Sequence, residues 1–130
     1  MIRTNIATGT PWEPIVGYSR LVRVGPHVWV TGTTATIAGG GHLGDGDAYL
    51  QAQQALHNIA RVLEEGGASV ADIVRTRIYV IDIQRDWQAV ARAHRELLGE
   101  VVPATTMVEV RKLIEDWMLV EIEAEAFVNR

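Results

Sequence analysis

Val74-Arg75-Thr76-Arg77-Ile78-Tyr79-Val80-Ile81-Asp82 is rich in β-branched and aromatic residues and predicts a strand over residues 74–82. The period then changes. Trp87, Val90, Ala91, His94, Leu97 and Leu98 share one helical face, which predicts a helix over residues 86–98 that Gly99 ends. Working upstream, Ala52, Ala55, Leu56, Ile59 and Leu63 form a single apolar stripe. They predict a helix that starts from an N-cap at Asp47 and stops at Gly66-Gly67. Before it, residues 20–24 and 27–32 are short β-branched runs divided by Gly25-Pro26, a hairpin pattern. Downstream, residues 104–111 and 118–127 alternate at the strand period. The order is ββαβαββ, with a short extra strand near residues 2–7.

Two helices can cover only one face of such a sheet, so the class is α+β with a mixed sheet. The strands carry charge at alternate positions: Arg75 and Arg77, Glu109 and Arg111, then Glu121, Glu123 and Glu125. The second face is therefore polar. Such a face either stays in water or meets its counterpart in a symmetric oligomer. The glutamate comb carries the same two readings: a solvated strand face, or a general acid or base if assembly places one member in a dry cleft.

At 130 residues, with 48% hydrophobic and 22% charged side chains, the chain reads as a single domain spanning 1–130, and disorder and coiled coil are excluded. Twelve Lys plus Arg against sixteen Asp plus Glu give a net charge of −4, and Lys112 is the only lysine. That balance repels phosphate backbones, so no nucleic-acid partner is expected. No cysteine is present, and His27, His42, His57 and His94 show no metal-ligand spacing. Gly39-Gly40-Gly41-His42-Leu43-Gly44 spells a dinucleotide fingerprint, but Thr33 to Ala38 separate it from the strand, so it reads as a surface loop. No metal and no cofactor are expected. Met1 to Asn5 lacks a basic region followed by an apolar run, and no stretch approaches the roughly 18 apolar residues of a membrane span. The expectation is a cytoplasmic protein without a membrane partner.

Six fragments in order carry a family resemblance. They are Val16-Gly17-Tyr18, Val28-Trp29-Val30-Thr31-Gly32, Gln54-Ala55-Leu56-His57-Asn58-Ile59, Asp72-Ile73-Val74-Arg75-Thr76, Pro103-Ala104-Thr105-Thr106-Met107-Val108-Glu109-Val110 and Val120-Glu121-Ile122-Glu123-Ala124. Over almost its whole length the chain resembles the reactive-intermediate deaminase superfamily (RidA, also called YjgF). The resemblance implies a chorismate-mutase-like α+β fold, a mixed sheet backed by two helices, assembled as a homotrimer. It implies small-molecule clefts between subunits, with Glu121 as the catalytic residue that orients the attacking water. It places Tyr18, Thr31, Thr33, Thr105, Thr106, Met107 and His94 around the substrate, which in the deaminases is a 2-imino acid hydrolysed to ammonia and a 2-keto acid.

The chain departs from that pattern at one informative place. In the deaminases an arginine two residues after the proline grips the substrate carboxylate, whereas here Pro103-Ala104-Thr105 stands instead. An asparagine and a tyrosine of the second helix are replaced by Ala91 and His94. Threonine offers one hydroxyl and no charge, and charge-assisted hydrogen bonds are individually worth about 1.5–3 kcal/mol. Two functional readings follow: hydrolysis of a less acidic, neutral or cationic imine or enamine, or a non-catalytic trimer that binds a small metabolite or a partner protein.

Overall fold

The hairpin forms as expected from β2 (Leu21–Val24) and β3 (His27–Thr33), with Leu21 opposite Val30 and Val24 opposite His27. Gly25 holds φ at 58° between them, a left-handed turn conformation that glycine adopts without steric cost. β1 (Arg3–Ile6) adds an edge strand antiparallel to β2. The computed structural model describes residues 1–129. The remaining elements are a short helix α1 (Trp12–Val16), α2 (Ala48–Glu65), β4 (Ile73–Val80), α3 (Ile83–Leu98), β5 (Ala104–Glu109) and β6 (Val120–Phe127).

The sheet order is β1-β2-β3-β6-β4-β5. The β4 and β5 strands are parallel, joined through α3, and every other neighbouring pair is antiparallel, so the sheet is mixed. Both long helices cover one face. Leu56, Ile59 and Leu63 of α2 are buried against Val28, Val30, Val120 and Ile122 of the sheet, each large side chain contributing on the order of 1.5–3 kcal/mol. No helix among the described residues is long and apolar enough to cross a membrane.

Asp47 caps α2 as the sequence predicts, its carboxylate accepting from Leu50 N at 3.0 Å. The other helix begins earlier than predicted. Asp82 accepts from Arg85 N at 3.1 Å, so α3 starts at Ile83 and not at residue 86. Its buried face consists of Asp86, Val90, Ala93 and Leu98, while Trp87, expected on that face, is 46% exposed. The stripe is rotated because Arg85 donates to the Asp86 carboxylate from Nε and Nη2, both at 2.9 Å, which allows that charge to turn inward.

On the far face Arg77 pairs with Glu125 at 2.6 Å, and the Tyr79 hydroxyl donates to Glu123. These are cross-strand pairs between β4 and β6, and they make that face polar. Glu109 departs from the expected set. Its carboxylate accepts from Ile83 N at 3.0 Å, which ties it to the start of α3 on the helix side.

Candidate functional site

The site is built around a bulge. Pairing between β3 and β6 shifts register between Val30 and Thr33, which brings Gly32 against Glu121 of β6. A Cβ at residue 32 would stand 2.7 Å from Glu121 Oε2 and 2.9 Å from its Cδ, so only glycine leaves room for this carboxylate position. Thr31 is fixed at the same point: its hydroxyl donates to Ser19 O at 2.6 Å and its amide donates to Arg20 O at 3.0 Å.

Arg20 lies behind this layer, 9% exposed. Its guanidinium donates from Nη1 to Gly32 O at 3.1 Å and from Nη2 to Thr33 Oγ1 at 2.7 Å, while the Thr33 hydroxyl donates to Thr31 O at 2.7 Å. Burial raises the Glu121 carboxyl above its ordinary range, the Arg20 charge opposes that rise, and Glu123 adds to it. A carboxyl raised in this way is a better proton acceptor than a solvated one.

Glu121 forms one wall of an open cavity of about 230 Å³ whose other walls include Trp12, Tyr18, Thr31, Ile114 and Met118. The loop before α1, which supplies Thr10 to this cavity, is held to the helix by Glu13, which is 5% exposed. Its carboxylate accepts from Thr8 N at 3.0 Å, Thr8 Oγ1 at 3.3 Å, Thr10 N at 2.8 Å and Thr10 Oγ1 at 2.6 Å. Burial works to raise the Glu13 carboxyl, but these hydrogen bonds and the Arg20 charge together hold it below its ordinary value.

A second group lies at the other end of the sheet. Thr76 of β4 has no exposed surface, and its hydroxyl sits 2.8 Å from His94 Nε2 and 2.8 Å from Thr105 Oγ1. Burial lowers the His94 imidazole below its ordinary value. Thr105 reaches an exposed position on β5, with a long contact of 3.3 Å from its hydroxyl to Pro103 O.

The expected site residues therefore fall into two sets. Tyr18, Thr31 and Glu121 meet in one cavity, and His94 and Thr105 meet through Thr76. Thr33 is 2% exposed and lines a neighbouring cavity of about 270 Å³ on the other side of Arg20. Met107 is half-buried against the core, while Thr106, on the opposite face from Thr105, lies 3.5 Å from Arg75 Nη2. Within one chain β6 and β4 stand between β3 and β5, so the two sets do not converge. Sequence reasoning did not assign roles to Gly32, Thr76 and Trp12. Only the Thr-Gly-Thr run of β3 hints at the first of these, because a glycine inside a strand marks a bulge or a close approach.

Comparison with known proteins gives this arrangement a family. Residues 8–128 match the model for endoribonuclease L-PSP proteins. The chain belongs to this family, also known as RidA/YjgF. Among its members, a RutC family protein of Pyrococcus abyssi is 34% identical over 127 residues, covering 98% of this chain and 98% of its own. A protein of Dermatophagoides farinae named 2-iminobutanoate/2-iminopropanoate deaminase is 30% identical over 119 residues, covering 92% and 91%. The crystal structure of a YjgF-family protein from Mycobacterium tuberculosis superposes with a TM-score of 0.89 at 47% identity, covering 98% of this chain and all of that one. The mixed sheet backed by helices is thus the RidA/YjgF fold.

Proposed function

We propose that this RidA/YjgF protein assembles as a homotrimer with ligand clefts between neighbouring subunits, and that it hydrolyses a reactive imine or enamine there. The two sets of residues support this reading. Tyr18, Thr31 and Glu121 flank an open cavity at one side of the sheet, and Thr105 and His94 stand at the opposite side. A second copy that laid its β5 edge against the cavity at β3 and β6 would bring one set against the other. Exposed apolar residues near the cavity, Ile15 at 80%, Val16 at 68% and Ile114 at 63%, fit a surface that a neighbour covers.

The observation that carries the chemistry is Glu121, a carboxyl with its affinity for protons raised by burial at the wall of an accessible cavity. Water adds to the C=N carbon while Glu121 accepts its proton. The same proton is returned to nitrogen to give the carbinolamine; Glu121 then takes the proton of its hydroxyl and delivers it to the amine as the C–N bond breaks, leaving a carbonyl and ammonia. One water is consumed and the carboxylate is regenerated. The test is ammonia release from a freshly generated 2-imino compound. The protein accelerates it and Glu121→Ala abolishes the acceleration; equal rates with and without the protein exclude catalysis.

A second reading, a non-catalytic trimer that binds a small metabolite, is favoured by Thr105 standing where the deaminases carry arginine. It predicts saturable thermal stabilisation by a ligand without turnover. The family's ribonuclease label finds no support in a chain of net charge −4.

A further inference from the structure

The residue that stands in for the family's arginine is the exposed end of a hydrogen-bonded chain that runs through buried Thr76 to half-buried His94. Thr76 Oγ1 has one proton and two partners, His94 Nε2 and Thr105 Oγ1, each at 2.8 Å. It can therefore donate to only one of them and must accept from the other. With the imidazole proton on Nδ1, Thr76 donates inward to His94 and Thr105 donates to Thr76, so Thr105 shows outward lone pairs only. With that proton on Nε2, His94 donates to Thr76, Thr76 donates to Thr105, and the Thr105 proton is free to point outward. Its only other acceptor among the described residues is Pro103 O at 3.3 Å, a long bond that a ligand readily replaces.

Every group in this chain is uncharged when the imidazole is neutral, and burial favours that form. The two guanidiniums of β4 are engaged away from Thr105. Arg75 lies on the opposite face of the sheet, 3.5 Å from Thr106, and Arg77 is paired with Glu125 at 2.6 Å. A carboxylate at Thr105 would lose most of its hydration and gain one hydroxyl. An amide or ester carbonyl has far less hydration to lose.

We propose that the His94–Thr76–Thr105 relay selects ligands whose group at Thr105 is an uncharged carbonyl, an amide or an ester, over the free carboxylate. This rests on the cleft reading above, since Thr105 meets a ligand only if the cleft reaches β5. In this arrangement Thr105 is the contact, and Thr76 and His94 are positioning residues: the imidazole tautomer sets whether Thr105 donates to the ligand or accepts from it.

The experiment uses two probes that differ at one group, 2-oxobutanoate and 2-oxobutanamide, with affinities read by thermal shift and calorimetric titration on the intact protein. The wild type binds the amide roughly tenfold or more tightly than the carboxylate, and Thr105→Arg reverses the order. Thr76→Val reduces that preference, whereas Thr76→Ser, which keeps the hydroxyl, retains it. A purely structural role for Thr76 would lower the melting temperature and leave the preference unchanged, which overturns the relay. Equal or tighter binding of the carboxylate by the wild type overturns the proposal while leaving the cleft reading intact. Failure of both probes to bind both the wild type and Thr105→Arg overturns the cleft reading, and the proposal with it.

Discussion

Gly32 and Glu121 are in contact across β3 and β6 so closely that an added methyl at Gly32 would lie 2.7 Å from the Glu121 carboxylate. The backbone at Gly32 is not in the left-handed region, so alanine meets no conformational penalty there. Gly32→Ala displaces the far end of a flexible side chain and leaves the fold in place. The expected loss of turnover is about 10²-fold, the scale for a reacting group moved by about 1 Å. Turnover equal to wild type would mean that Glu121 is not the group that acts. A melting curve close to wild type separates this displacement from unfolding.

Burial raises the Glu121 carboxyl, so its ionised form is less favourable in the folded chain than in the unfolded one. That cost is present above the folded pKa and disappears as the pH falls through it. Glu121→Gln is therefore more heat-stable than wild type at neutral pH, and the difference shrinks on acidification. Melting temperatures measured across that range check the sign. A variant less stable than wild type at neutral pH would contradict it.

His94 has the opposite dependence. Burial lowers its imidazole from 6.5, so the unfolded chain takes up the proton first. The stability this confers is complete above that value and is lost as the pH falls through the lowered folded value. His94→Gln makes the acid limb of the stability profile shallower, as measured by denaturant melts. An unchanged limb would show that the imidazole is not buried.

Glu13 anchors the Thr8–Pro11 loop with four accepted hydrogen bonds while 5% exposed. Glu13→Ala leaves the donors of exposed Thr8 and half-buried Thr10 without their carboxylate and costs about 1–3 kcal/mol. Because its carboxyl is held below 4.5 in the folded chain, the stability it supplies is present above that pH and is lost as the pH falls through the folded value. Denaturant unfolding at neutral and acid pH measures both effects, and a loss well under 1 kcal/mol would contradict the first.

The elements were legible where one period and one cap agreed, as in α2, whose apolar stripe and Asp47 cap define its start. At α3 the first turn holds Arg85 and Asp86, whose charges mask the stripe, and Asp82, its cap, reads from the sequence as the last residue of the preceding strand. The five-residue α1 is too short for a helical period to register. Its marks are Pro14 inside the first turn and Gly17, whose φ of 87° ends it. Glu121 and Tyr18 were legible through family motifs. Gly32 was not, because its contact with Glu121 depends on a register shift that no spacing along the chain encodes. Thr76 reads as an ordinary core position of a strand, and only the packing of α3 over β4 and β5 brings His94 to it.

The central claim is that one copy's Glu121 wall and a neighbour's Thr105 edge enclose the same cleft, which requires three chains to assemble. Light scattering coupled to size-exclusion chromatography measures this directly on the native protein. The account predicts a species of three times the 14.3 kDa chain mass at micromolar concentration. A stable 14.3 kDa monomer under those conditions would contradict it.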